Sequence, residues 1–235
     1  METCLLLVHS PLVGASTWEP VARRLADDGY AVTLPDLVGT LTAGPPYHQR
    51  QAQVIADSAA GRPAILVGHS GAGPLLATAG LMLGQKARSY IFVDAGLPTP
   101  GRSWMQTVPP DLASQLRAMA SPEGWLPPWS QWWGDEEPAA LLPDPVVRER
   151  FASECPQLPL ALFEEPHPPA PGWPNAPGGY LKLTEAYEAD AAEARELGWP
   201  VSHHQGHHLA PLTDPDVVAA EILRLIRQGR PSANR

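Results

Sequence analysis

The stretch Ala64-Ile-Leu-Val-Gly-His-Ser-Gly-Ala-Gly73 decides the fold. A short apolar run stops at a serine flanked by small residues, and a small-residue segment from Gly71 to Leu83 follows it. Such a run predicts a strand buried on both faces, and the segment beyond predicts a helix packed closely behind it. Gly68 and Ala72 allow a sharp bend between the two without a Cβ clash. The bend lifts the Ser70 hydroxyl clear and leaves the Gly71 amide at a helix start, facing developing negative charge. The glycines lack the Lys-Ser/Thr of a phosphate loop and the spacing of a dinucleotide fingerprint.

Outward from this turn, strands and helices alternate. Leu5–His9, Ala31–Leu34, Ala64–Val67, Ser89–Val93, Tyr180–Thr184 and Pro200–His203 read as strands. Trp18–Asp28, Gln49–Ala60, Gly71–Leu83, Ala189–Leu197 and Asp216–Gln228 read as helices. Thr213-Asp-Pro-Asp216 supplies a capping hydroxyl or carboxylate and an early proline for the last of them. Alternation of this kind predicts an α/β fold, a mostly parallel sheet with helices on both faces. Chemistry then belongs where the strands stop, at their carboxyl ends.

Composition narrows the class. The chain has 235 residues, 44% hydrophobic and 17% charged, enough for one domain with a sizeable core. A net charge of -9 excludes nucleic acid and anionic membrane as expected partners. Cys4 and Cys155 give no disulfide framework. The apolar run after Met1 has no basic leader and is too short for a signal peptide or a span, so a cytoplasmic protein is expected. The 29 prolines and 8 tryptophans crowd between Pro98 and Pro177, including Glu123-Gly-Trp-Leu-Pro-Pro-Trp-Ser-Gln-Trp-Trp133.

A histidine tract, Val201-Ser-His-His-Gln-Gly-His-His208, stands near the end of the chain. His203 and His204 on a strand point to opposite faces and do not chelate together. Gly206 and the preceding strand argue against helical pairing of His203 with His207 or His204 with His208, and the tract contains no acid or cysteine to complete a metal site.

The Gly68–Gly73 stretch resembles the nucleophile elbow of the α/β-hydrolase superfamily, with Ala72 in place of the last glycine of G-x-S-x-G. Leu7-Val-His-Ser-Pro-Leu-Val-Gly-Ala-Ser-Thr-Trp18 is similar to the family's strand–His-Gly–loop–Trp segment, which supplies a second oxyanion donor. Here Ser10 replaces the glycine, and Pro11 has no N–H to offer. The resemblance implies Gly71 as one donor and leaves the second to the Leu12 amide or the Ser10 hydroxyl. Its closing pattern, fitted to "HLAPLTDP", implies His208 as the base, with His207 as the fallback. A serine hydroxyl needs such a base near neutral pH.

For the acid the resemblance implies two places. One is the loop after the fifth strand, Thr184-Glu-Ala-Tyr-Glu-Ala-Asp190, where Glu185 is the nearest carboxylate and is slightly favoured. The other is Asp94, at the end of the fourth strand, from which some lipases of the superfamily take their acid. Glu188 and Asp190 are expected as first-turn helix acids. Residues 1–96 and 177–235 are then the α/β-hydrolase core and 97–176 a Pro/Trp-rich cap. Trp125, Trp129, Trp132 and Trp133 are candidates for an apolar pocket, and Trp173 sits in the same cap.

These features imply a member of the cap-bearing esterase and hydroxynitrile-lyase-like branch, needing neither metal nor organic cofactor. The expected activity is serine-dependent hydrolysis of an ester, lactone or thioester carrying a hydrophobic or aromatic group. Two alternatives stay open: a non-hydrolytic lyase or cyclase using Ser70 and His208 as acid–base groups, and a non-catalytic protein that binds an apolar ligand.

Overall fold

Cys4–Val8 (β1) is apolar throughout because both its faces are covered. Leu6 and Val8 enter one core cluster and Leu5 and Leu7 the other, the two-residue period of a strand. The computed structural model describes residues 2–132 and 136–229 of the protein. After β1 come helix α1 (Glu19–Asp27), β2 (Ala31–Thr33), α2 (Tyr47–Asp57), β3 (Ala64–His69), α3 (Leu75–Leu83) and β4 (Ala87–Val93). A long excursion follows, carrying α4 (Pro110–Met119), β5 (Trp125–Leu126), α5 (Glu136–Leu141), α6 (Pro145–Glu154), β6 (Leu158–Pro159) and α7 (Leu160–Glu164). The chain re-enters the sheet at β7 (Gly178–Lys182) and closes with α8 (Glu188–Glu196), β8 (Val201–His203), α9 (Ala210–Thr213) and α10 (Pro215–Gln228).

The six-stranded sheet has the order β2-β1-β3-β4-β7-β8, and every pairing in it is parallel. Ile55 of α2, Leu75 of α3 and Ala191 of α8 cover one face; Val21 and Leu25 of α1 and Ile222 of α10 cover the other. The order reverses between β1 and β3, so the loops after these strands diverge and leave a crevice at the carboxyl edge. Each predicted strand and helix is present within a few residues. Among the described residues no helix is long and apolar enough to cross a membrane.

Local signals explain the boundaries. The helix ending at Asp27 passes into Gly29, whose φ of 85° suits a residue without a side chain. Helix α10 departs from its expected start. Asp214 occupies the cap position with no side-chain bond to the first turn. Its carboxylate takes the Thr213 hydroxyl at 3.1 Å instead, and Pro215 opens the helix.

The excursion folds over the carboxyl edge of the sheet. Met105, Leu116, Leu126, Leu158 and Phe163 form a small core of its own, joined by Leu41 and Tyr47 from below. A second cluster unites Phe151 and Leu142 with Val13 and Leu209 of the sheet-edge loops. Its return to the sheet is tied down where the buried Tyr90 hydroxyl donates to Asn175. That hydroxyl occupies the space beside Gly80, where an added Cβ would lie 1.9 Å from it. Gly80→Ala is expected to overpack this contact and cost about 1–3 kcal/mol, measured as a lower urea midpoint with unchanged slope.

Candidate active site

Strand β3 runs two residues further than its apolar core, through Gly68 and His69, and delivers Ser70 at its very tip. Ser70 has φ 57°, a left-handed conformation that the tight strand–turn–helix imposes on a residue with a side chain. The small residues around it are required by contact. A Cβ on Gly68 would meet Leu76 at 3.0 Å, and one on Gly73 would collide with the Gly96 carbonyl at 2.1 Å. Gly73, rather than Ala72, is therefore the position where only glycine fits.

Ser70 Oγ lies 2.9 Å from His208 Nε2, and His208 Nδ1 lies 2.8 Å from Asp94 Oδ2. Asp94 leaves β4 with φ 43°, a conformation that aspartate tolerates better than most residues. Its side chain is fully buried. Oδ1 accepts the Leu183 and Thr184 amides at 2.9 Å each, and Oδ2 accepts the Thr184 hydroxyl at 2.9 Å. Burial raises the Asp94 carboxyl, but the His208 hydrogen bond and the Leu183 and Thr184 amides outweigh it and hold the group below the ordinary carboxylate range. An ionised carboxylate only accepts, so His208 carries its proton on Nδ1 and turns the Nε2 lone pair to the Ser70 hydroxyl.

Glu185, the slightly favoured acid, is elsewhere. Its side chain is 81% exposed and its carboxylate pairs with Lys182 Nζ at 2.7 Å. Lys182 ends β7 with its side chain buried and also takes Glu188, so the alternation of the strand decides which carboxylates it collects. Asp190, in the first turn of α8, accepts the Leu97 amide at 2.8 Å.

The histidines separate cleanly. His207 accepts the Leu209 amide at Nδ1 and sits 3.0 Å from Thr213 Oγ1 through Nε2, so it shapes the α9 turn. His203 is exposed and His204 half-buried. Among the described residues no group of three or more His, Cys, Asp or Glu side chains is arranged to hold a metal ion. Two further residues bear on His208 that sequence reasoning missed. His69 Nε2 donates to the His208 carbonyl at 2.8 Å, and burial pushes its pKa down to about 3, so it serves as a neutral brace. Tyr187 lies flat on the His208 ring, with centroids 5.4 Å apart and planes 7° from parallel. Burial raises its phenol to about 12, against a hydrogen bond with Ser70 that lowers it.

The loop after β1 is held around Pro11 by side-chain hydrogen bonds. His9 accepts the Leu37 amide at Nε2, 3.0 Å away, so its Nδ1–H donates to the Ser10 carbonyl at 2.8 Å and fixes the turn. The Leu12 amide donates to Ser10 Oγ at 3.3 Å. Ser10 Oγ in turn stands 3.0 Å from where a Cβ on Gly71 would be, directly beside the elbow. Among the described residues nothing accepts the Ser10 hydroxyl proton.

These loops and the excursion enclose a cavity of about 670 Å³ with Ser70, His208, Ser10, Leu12 and Gly71 in its wall. Trp129 and Trp132 line it, and Trp129 stands edge-on to His208 with ring centroids 6.5 Å apart. Trp125 does not line it; its backbone pairs with Pro159 in β5–β6. Trp104 lines the cavity in its stead. Trp173 packs under the excursion against Phe92 and Trp199. Trp133 lies outside the described residues.

A family model described as the alpha/beta hydrolase family matches residues 5–221. No curated protein sequence matches the chain. Among solved structures, the chain is similar to an extracellular α/β-hydrolase from a Paenibacillus species, at 19% identity over 98% of this chain and 100% of that one, with a TM-score of 0.76. It is also similar to a pyrethroid hydrolase from Sphingobium faniae JZ-2, at 19% identity over 97% and 98% of the two chains, with a TM-score of 0.64. Tomato methylketone synthase I, solved with 2-tridecanone, is matched at 15% identity over 98% and 100%, with a TM-score of 0.67. At such identities the structural likeness speaks for the fold, whereas the family model spans nearly the whole chain and includes both the elbow and the His208 loop: the protein belongs to the α/β hydrolase family.

Proposed function

We propose that the protein is a serine hydrolase of esters, lactones or thioesters that carry a hydrophobic or aromatic group. The observation that carries this reading is the unbroken hydrogen-bonded chain from Ser70 through His208 to the buried Asp94. In it Ser70 Oγ attacks the carbonyl carbon while His208 Nε2 takes the hydroxyl proton. The carbonyl oxygen becomes an oxyanion, and its collapse expels the alkoxide or thiolate, which leaves with the proton from His208. Water, deprotonated by the same nitrogen, then cleaves the acyl-serine. Asp94 orients the imidazole and stabilises it when charged.

The oxyanion receives the Gly71 amide and the Ser10 hydroxyl, whose oxygen is polarised by the Leu12 amide behind it. A side chain thus does what the proline amide cannot. Residues 97–176 act as a cap over the core of 1–96 and 177–235, and the tryptophans Trp104, Trp129 and Trp132 favour an apolar acyl or alcohol group. A pyrethroid hydrolase is among the similar structures, which supports hydrolysis as the activity.

Pro11 favours a second reading, lyase or cyclase chemistry by the same Ser70–His208 pair, because such reactions need no tetrahedral oxyanion.

Three outcomes are expected. A panel of p-nitrophenyl esters and thioesters is hydrolysed by the wild type, and Ser70→Ala or His208→Ala falls to background; absence of turnover or of an acylation burst with every member points to the lyase or cyclase reading. Asp94→Asn lowers kcat on the order of 10³–10⁴-fold by favouring the wrong tautomer, while Glu185→Gln stays within about twofold, as removal of an exposed ion pair should. Ser10→Ala lowers kcat by about 10²–10³-fold with little change in KM, the signature of a lost oxyanion donor. The pH profile adds a check. Asp94 is held below the ordinary carboxylate range and stays ionised through it, so Asp94→Asn is expected to remove no limb from the kcat/KM profile there.

A further inference from the structure

Tyr187 touches the triad without being one of its members. It ends the single helical turn Glu185–Tyr187 after β7, half-buried and in the wall of the cavity. The root of that turn is fixed by the carboxylate that also fixes the histidine: Asp94 accepts the Thr184 amide and hydroxyl as well as His208 Nδ1–H. The Tyr187 amide then closes the turn onto the Thr184 carbonyl at 3.4 Å. Through this shared anchor the phenol ring is laid alongside the imidazole, 7° from parallel.

The ring's hydroxyl reaches Ser70, and among the described residues only His208 and Tyr187 hydrogen-bond that side chain. Ser70 sends its proton to His208 Nε2, so the phenol is the donor in the second bond and Oγ the acceptor. Burial raises the phenol to about 12, which keeps that donor protonated at neutral pH. A donor speeds a step only when its bond is stronger in the transition state than in the state before it. In the free enzyme Oγ already accepts the phenol, so its attack on the ester gains little. In the acyl-serine Oγ is the bridging oxygen of an ester and accepts weakly. Water then adds, and the tetrahedral intermediate collapses: the oxyanion's electron pair re-forms the carbonyl and the C–Oγ bond breaks. Its electrons pass to Oγ, which takes the proton held on His208 Nε2. Negative charge therefore grows on the atom that the phenol faces, and Tyr187 keeps its own proton throughout.

We propose that Tyr187 is a catalytic residue of deacylation, its hydroxyl donating to Ser70 Oγ as that oxygen leaves the acyl carbon. The assignment deepens the hydrolase reading and rests on it for the acyl-serine. It gives the β7 loop a part in the chemistry distinct from that of the Ser10 and Gly71 donors, which are assigned to the carbonyl oxygen.

The test separates the two half-reactions. Wild type and Tyr187→Phe, which keeps the ring and drops the hydroxyl, are mixed with p-nitrophenyl hexanoate. The burst of p-nitrophenol reports acylation, and the intact mass of the protein follows decay of the Ser70 adduct. Tyr187→Phe is expected to keep the burst rate within about twofold, because the phenol's bond to Oγ is made before attack as well as during it. The lifetime of its adduct should lengthen about 10–100-fold, the worth of a hydrogen bond to a charged oxygen. Its kcat and KM then fall together, and kcat is the same for p-nitrophenyl and phenyl esters of one acid. Tyr187→Leu, which removes the ring as well, should slow the burst too. An adduct lifetime unchanged in Tyr187→Phe, or a burst and a lifetime that suffer equally, would show a ring that only seats His208 and overturn the proposal. If the wild type forms no acyl adduct with any ester of the panel, the hydrolase reading falls first and takes this one with it.

Discussion

The buried charge of Asp94 is the constraint around which the catalytic edge is organised. A carboxylate shut away from water is tolerable only with its lone pairs engaged, and here four donors converge on it from two segments. The amides of Leu183 and Thr184 fix the loop leaving β7, His208 fixes the loop leaving β8, and the positive φ of Asp94 turns the chain off β4 toward both. Each of these loops is polar and irregular, yet none is free to drift without stranding the charge. The same bonds that stabilise the ion determine the tautomer of His208, so folding and chemical competence are one requirement at this point.

Much of this was legible beforehand. Six strands, their parallel order and the elbow followed from apolar runs broken at Gly, Pro and Ser, because a strand covered on both faces leaves little freedom of composition. Ser70 was singled out by the turn at a strand end, and His208 by the closing pattern that the family resemblance implies. The acid was not settled, because Glu185 and Asp94 both stand where a strand stops. Their difference lies in Lys182, whose side chain is buried at the end of β7 and draws Glu185 and Glu188 outward. The spacing of Lys182 to both glutamates was the available signal. Trp125 was misplaced and Trp104 overlooked for a related reason: within an irregular, proline-rich segment no period tells which ring faces inward.

The β1 loop brings a side-chain hydroxyl beside the elbow where Pro11 offers no amide. Proline removes one amide from the expected place, but it also stiffens the turn, and the His9 ring clamps the preceding carbonyl. Ser10 is thereby buried at 2% exposure with its oxygen beside Gly71. A hydroxyl so held has the preorganisation that its proposed role toward an oxyanion requires.

With the carboxylate supplied from β4, the loop after β7 carries no ionised partner for His208. Its residues Ala186 and Tyr187 face the cavity instead. Ser70, Asp94 and His208 come from the ends of β3 and β4 and from the segment after β8, while Tyr187 of the β7 loop lies both on the His208 ring and in the cavity wall. A change in that loop therefore acts on the shape of the cavity and on the seating of the imidazole together.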